Sequence, residues 1–269
     1  MWFLFIIINT IFASNDVILS SDVNLWDRSQ LLEQYNIFSM YREMNIISSS
    51  SILVYNLDIN GNLDTYKTND TSVTAEDFQL LVKEIGLNSY PSLYCNNDGY
   101  CSNLTSRLDQ LYKNQTHFIA SVVQRIMANH ADGFVINFKT NMQLDWVKLT
   151  SLLVELSTTL KIINKPLYIW IGNNTLYDDR IYSTPNIKLL LSNTYVNNYD
   201  QFIESATNTL IKMDNITRLG FTLLTSNNIS EKDTINIIEW LVIAKINTIS
   251  IWSSTISGFY YKALHSYLK

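Results

Sequence analysis

Glycine and proline are scarce in this chain, with seven and three among 269 residues. Neither a G-x-G-x-x-G fingerprint nor a P-loop occurs, and so few glycines argue against any phosphate-cradling loop of that kind. Asparagine and aspartate must therefore supply most of the turns. Cysteine and histidine are equally sparse, at two and three. Two thiols without a nearby histidine fall short of the four ligands of a structural zinc site. His117, His130 and His265 lie in segments of helical character and form no triad or metal set, and there is no G-x-S-x-G nucleophile elbow. No metal or other cofactor is expected. Basic residues are scattered in a chain of net charge -5, so nothing predicts a nucleic-acid partner. Beyond the first dozen residues no stretch reaches the ~18 uninterrupted apolar residues of a bilayer span, so stable membrane insertion of the mature chain is not expected.

What is present begins with MWFLFIIINTIFASND. This apolar run is too short to span a bilayer, ends in a small residue and gives way to polar sequence. It fits a secretory signal segment over residues 1–13, although a basic start is missing; a buried first strand is the alternative. Residues 14–269 are then expected to form one domain, a size that buries a large core without staples. Cys95 and Cys101 flank the turn sequence Asn97-Asp98-Gly99, and a small disulfide-closed loop is expected. N-x-S/T sequons stand at Asn69, Asn103, Asn114, Asn173, Asn215 and Asn228. Together these features point to the secretory route, with a secreted or endolysosomal destination.

Short β-branched or apolar runs alternate with segments of helical period. The expected strands are Ile37–Met40, Ser51–Asn56, Ser89–Tyr94, Gly133–Phe138, Pro166–Ile171, Lys188–Tyr195, Arg218–Leu224 and Thr248–Trp252. Between them, Thr74 is placed to cap a helix carrying Phe78, Leu81 and Ile85. Phe118, Ile119, Val122, Val123, Ile126 and Met127 repeat at threes and fours, as do Leu149, Leu152, Leu153, Leu156 and Leu160. Asp233 opens a further helix bearing Ile235, Ile238 and Leu241. Strand–helix alternation with continuously apolar strands means a parallel sheet covered on both faces. Eight strands in this length predict a (β/α)8 TIM barrel, with an open doubly wound sheet as the alternative. Residues 14–36 fit this scheme least well and are expected to form a lid or a cap over the barrel bottom.

The most informative segment is ADGFVINFKT, residues 131–140. Alternation along a strand sets Val135, Asn137 and Lys139 on one side and Phe134, Ile136 and Phe138 on the other. In a barrel the aromatic set would face the helices. The first set would face the axis, with Lys139 at the C-terminal mouth where such barrels keep their active sites. Asp132–Lys139 resembles the fourth-strand signature D-G-x-D-x-D-x-E of glycoside hydrolase family 18, the chitinase and di-N-acetylchitobiase family. SILVYNLDINGNLDTY, YPSLYCN, PLYIWIG, LLSNTYV, RLGFTLL and INTISIWSS resemble that family's other strands in order. The related D-G-W-x-x-N-x-E strand of family 85 endo-β-N-acetylglucosaminidases matches Asn137.

The resemblance implies a mouth that takes N-acetylglucosamine-containing oligosaccharide, with Trp252 as its floor and Tyr195, Trp170 and Asn137 as further contacts. It also implies catalytic positions at Asp132, Asn137 and Lys139. The departures are chemical. Lys139 stands at the proton-donor glutamate, Val135 and Asn137 replace aspartates, and Val196 replaces the aspartate beside Tyr195. An ammonium of reference pKa about 10.4 is a weak acid for protonating a leaving oxygen, and it sets positive charge beside a cationic transition state. The expectation is a binding protein impaired in hydrolysis. Alternatives are an active hydrolase with a displaced carboxylate (Asp58, Asp178, Asp179 or Asp200), a Schiff-base lysine at Lys139, or an interaction protein with a plugged mouth.

Overall fold

The computed structural model describes residues 15–269 except 24–25, 71, 97–100, 140–143, 173–176, 193–197, 214, 225–228, 253–255, 257 and 259. The signal segment over 1–13, Tyr195, Asn173 and Asn228 lie outside the described residues. The chain runs β1 (Asp16–Ser21), α1 (Arg28–Glu43), β2 (Ser49–Leu57), β3 (Leu63–Thr65), α2 (Ala75–Glu84), β4 (Asn88–Ser89) and β5 (Ser92–Asn96). It continues through α3 (Leu104–Lys113), α4 (Gln115–Ala128), β6 (Phe134–Lys139), α5 (Trp146–Ile162), β7 (Leu167–Ile171) and α6 (Arg180–Ser183). Then follow β8 (Ile187–Ser192), α7 (Tyr199–Leu210), β9 (Leu219–Leu224), α8 (Glu231–Ile243), β10 (Thr248–Trp252) and α9 (Tyr260–Leu268).

Eight of the strands are parallel in the order β1-β10-β9-β8-β7-β6-β5-β2, and β1 also pairs with β2, which closes the ring. The architecture is the expected (β/α)8 barrel. Strand β3 folds back antiparallel on β2, and β4 adds a short parallel pairing to the same strand.

Two expectations at the N-terminus are corrected. The first barrel strand is β1, inside the segment read as a lid, and it pairs with β10 from Asp16↔Thr248 to Ser20↔Trp252. Ile37–Met40 is not a strand but part of α1, whose buried Leu31, Gln34, Phe38 and Tyr41 recur at helical spacing. Asp27 begins that helix with a capping box, its carboxylate accepting from the Gln30 N–H while the Gln30 side chain accepts from the Asp27 N–H. An apolar β-branched run is thus claimed by a helix because its neighbours supply a cap and a stripe.

The remaining helices follow the sequence pattern. Thr74 caps α2 and Ser230, rather than Asp233, caps α8. All five leucines named on α5 are buried. Between β7 and β8 the helix is reduced to one turn, α6, and a buried arginine secures the connection. The Arg218 guanidinium donates to the carbonyls of Tyr182, Thr184 and Ile187, closing a stretch that a longer helix would have bonded internally.

Candidate functional site

On β6 the alternation holds in space. Phe134, Ile136 and Phe138 belong to the large core between barrel and helices, whereas Val135 lies in a separate cluster inside the ring with Ile18, Tyr90, Tyr168 and Leu190. Gly133 admits this arrangement because a Cβ there would sit 2.8 Å from the Pro166 carbonyl oxygen and 3.1 Å from the Tyr90 ring. Val135 is 1% exposed, so the position that resembles a catalytic aspartate is an apolar plug. Lys139 closes β6 at the C-terminal end, in register with Asn96.

Above the plug the barrel carries an aromatic group. Trp170 packs on the interior cluster from β7, and Trp252 ends β10; both are half-buried. Their rings meet edge to face, 5.6 Å apart and inclined at 81°. Tyr94 of β5 adds a third ring 6.2 Å from Trp252, and its hydroxyl accepts from the Asn96 side-chain amide at 3.0 Å. Asn137, half-buried, is the register partner of Tyr94. Trp170, Trp252 and Asn137 are therefore brought together at the C-terminal end of the ring, and Tyr94 joins them. Tyr94 was not singled out from the sequence, although alternation in YPSLYCN sets it on the face of Tyr90, which points into the barrel.

Asp132, which the resemblance sets among the catalytic positions, is placed away from this group. It precedes β6 at the N-terminal face, the opposite end from Lys139. Lys83 Nζ approaches it at 2.7 Å and Lys165 Nζ at 3.7 Å, and the Ser89 N–H donates to it at 2.9 Å. Burial disfavours the charge of Asp132, but the hydrogen bonds from Lys83 and Ser89 and the positive charge of both lysines outweigh it. The carboxyl is held below its usual range. Its work is to pin α2, the approach to β5 and the approach to β7 at the barrel floor.

The floor also holds a polar network that the sequence did not suggest. Lys188 Nζ donates to the Tyr168 hydroxyl at 3.2 Å, and Asp16 accepts from the hydroxyls of Ser48 and Ser49. Burial lowers the Lys188 ammonium below its ordinary value, partly opposed by the charge of Asp16. Both side chains line a recess of about 160 Å³ opening at this face.

The carboxylates considered as a displaced acid are committed to local structure. Asp58 accepts from the N–H groups of Asn60 and Asn62 and from the Asn62 amide, building the β2–β3 turn. Asp178 pairs with Arg180 at 2.6 Å. Asp179 and Asp200 are exposed, the first preceding α6 and the second in the first turn of α7. Among the described residues no cluster of His, Cys, Asp or Glu could hold a metal ion.

Cys95 and Cys101 form the expected disulfide at the end of β5. The sequon residues Asn69, Asn103, Asn114 and Asn215 are all exposed.

No protein-family model matches the sequence, and no curated protein is similar to it in sequence. Solved structures do share the fold. A chitinase from Chromobacterium violaceum superposes with a TM-score of 0.74 at 8% identity, over 94% of this chain and 99% of that one. The class V chitinase from Nicotiana tobaccum gives 0.73 at 9% identity, over 94% and 99%. A family 18 chitinase from Flavobacterium johnsoniae gives 0.65 at 13% identity, over 95% and 94%. The chain thus shares the fold of these chitinases along essentially its whole length. At these identities the likeness is one of fold.

Proposed function

We propose that this protein binds N-acetylglucosamine-containing oligosaccharide at the C-terminal mouth of the barrel and does not cleave it. The observation that carries the reading is the inward side of β6, where Val135 is sealed among apolar side chains and Asn137 is an amide, while the sequence has lysine and not glutamate at position 139. A family-type mechanism needs an acid to protonate the leaving oxygen, and it needs a carboxylate or amide to steady the oxazolinium formed by the sugar's own acetamide. Asn137 supplies the amide. Lysine, with a reference pKa of about 10.4, is a poor proton donor at neutral pH. The committed partners of Asp58 and Asp178 and the exposure of Asp179 and Asp200 argue against a replacement from those positions.

Recognition needs less than catalysis. A pyranose presents an apolar face that lies well on an indole, and the half-buried Trp252 and Trp170, with Tyr94 buried behind Trp252, offer an aromatic surface at the required end of the barrel. Asn137 and Asn96 add amides that can bond hydroxyl or acetamide groups. Tyr195 is assigned to the same mouth on the resemblance of LLSNTYV. The disulfide at Cys95–Cys101 and the exposed sequons support, in the same proposal, passage through the secretory pathway with glycans at Asn69, Asn103 and Asn114.

Calorimetric titration with chito-oligosaccharides tests the binding half. Saturable binding is expected, weakened roughly tenfold or more in Trp252→Ala, a loss of about 1.4 kcal/mol. Equal affinity of the wild type and the Trp252→Ala and Trp170→Ala variants would remove the mouth as the site.

A further inference from the structure

All eight barrel strands are parallel, so a helix that returns to start the next strand must end at the N-terminal face, opposite the mouth. That face has an unusual outline. Six of the twelve exposed large apolar side chains among the described residues sit at such helix ends: Met44, Met127, Ile162, Ile211, Val242 and Ile243. Ile162, Ile211 and Ile243 are 78%, 78% and 80% exposed, the three highest values of that set. They close α5, α7 and α8, and each has an exposed lysine within two residues, Lys161, Lys212 and Lys245 respectively. These helices precede β7, β9 and β10, which belong to the arc β7-β8-β9-β10 of the ring that ends at β1.

We infer that this arc of the N-terminal face docks on an anionic lipid surface, leaving the mouth turned away from it. Lysines near helix C-termini also suit the helix dipole, which explains a cation there but not a bare isoleucine beside it. The isoleucines are separate tips on separate helices and do not form a groove for a protein segment. A bilayer interface accepts such isolated tips individually, each dipping into the acyl boundary while the neighbouring ammonium meets a headgroup phosphate or carboxylate. The proposal is independent of the reading of the mouth, since none of these residues lines it.

The test is flotation of the full chain, produced without glycosylation, with phosphatidylcholine vesicles containing or lacking phosphatidylserine. The protein is expected to float with the phosphatidylserine vesicles, less so as salt rises. Both Ile162→Ser/Ile211→Ser/Ile243→Ser and Lys161→Glu/Lys212→Glu/Lys245→Glu should reduce the floated fraction roughly tenfold or more. Ile59→Ser/Val147→Ser, exposed apolar positions at the opposite end of the barrel after β2 and β6, should leave it unchanged, and all three variants should keep the wild-type circular dichroism. Triple variants that float like the wild type would overturn the inference in favour of the N-terminal run as sole anchor. Failure of the wild type to float overturns it as well, as would a concentration-dependent dimer abolished by the isoleucine changes. A glycan found on Asn215 of the secreted protein would also contradict it, because Asn215 lies on this face between α7 and β9.

Discussion

At Val135 a methyl-bearing side chain occupies the barrel interior with Ile18, Tyr90, Tyr168 and Leu190, and Trp170 packs over the cluster. A carboxylate introduced there would lose its water and gain no designed partner. Val135→Asp is therefore expected to cost about 2–5 kcal/mol at neutral pH, read by chemical denaturation. Its folded pKa would be raised, so the penalty should shrink as pH falls and the buried acid becomes neutral. Asp132 carries the opposite sign. Its folded pKa is depressed, so its contribution is complete above the unfolded carboxylate value of about 3.9 and is lost as pH falls through the folded value. Asp132→Asn should lower stability by about 1–3 kcal/mol at pH 7, and the gap to wild type should close in acid. A gap that persisted unchanged as pH falls through and below the folded value would show that the Lys83 and Lys165 pairs are not its source.

Elements were legible where local chemistry and periodicity agreed. The five leucines of α5, the Thr74 cap of α2 and the alternation on β6 each state their structure without help from distant contacts. The N-terminus misled for physical reasons. DVILSS lies in the segment 14–36 that fits the strand–helix alternation least well, and the strand is defined only by pairing with β2 and β10 from far along the chain. IFSM looked like a strand because a short apolar run carries no period of its own, and only the Asp27 cap and the Leu31–Phe38 stripe decide for helix. The site was partly legible in the same sense. Trp252, Trp170 and Asn137 fall on one end, while the floor network of Asp16, Lys188 and Tyr168 depends on three strands meeting and has no sequence signature. One turn also depends on a distant contact. Gly61 has φ +76°, and a Cβ there would lie within 3 Å of the backbone of Arg107 and Leu111, where α3 crosses the β2–β3 turn. Gly61→Ala should cost about 2–4 kcal/mol, seen as a lowered melting temperature.

Across the whole molecule the two ends of the barrel carry different chemistry. The N-terminal end holds the ion pairs of Asp132, the Asp16–Lys188 recess and the isoleucine–lysine arc, and the C-terminal end holds the aromatic group and the last residue of β6. The disulfide ties the mouth end of β5 to the approach of α3. By loop entropy alone Cys95→Ser/Cys101→Ser should cost about 2 kcal/mol, and it should weaken oligosaccharide binding more than the floor substitution Asp132→Asn does. The central claim is that a chitinase-type barrel has kept the holding of sugar and given up cutting it. The most direct measurement follows one sample of unmodified protein and chitotetraose by saturation-transfer NMR and mass spectrometry together. Transfer from protein to acetamide protons with no shorter oligosaccharide is the expected result. Accumulation of chitobiose at a rate proportional to protein, or the absence of any transfer, would contradict the account.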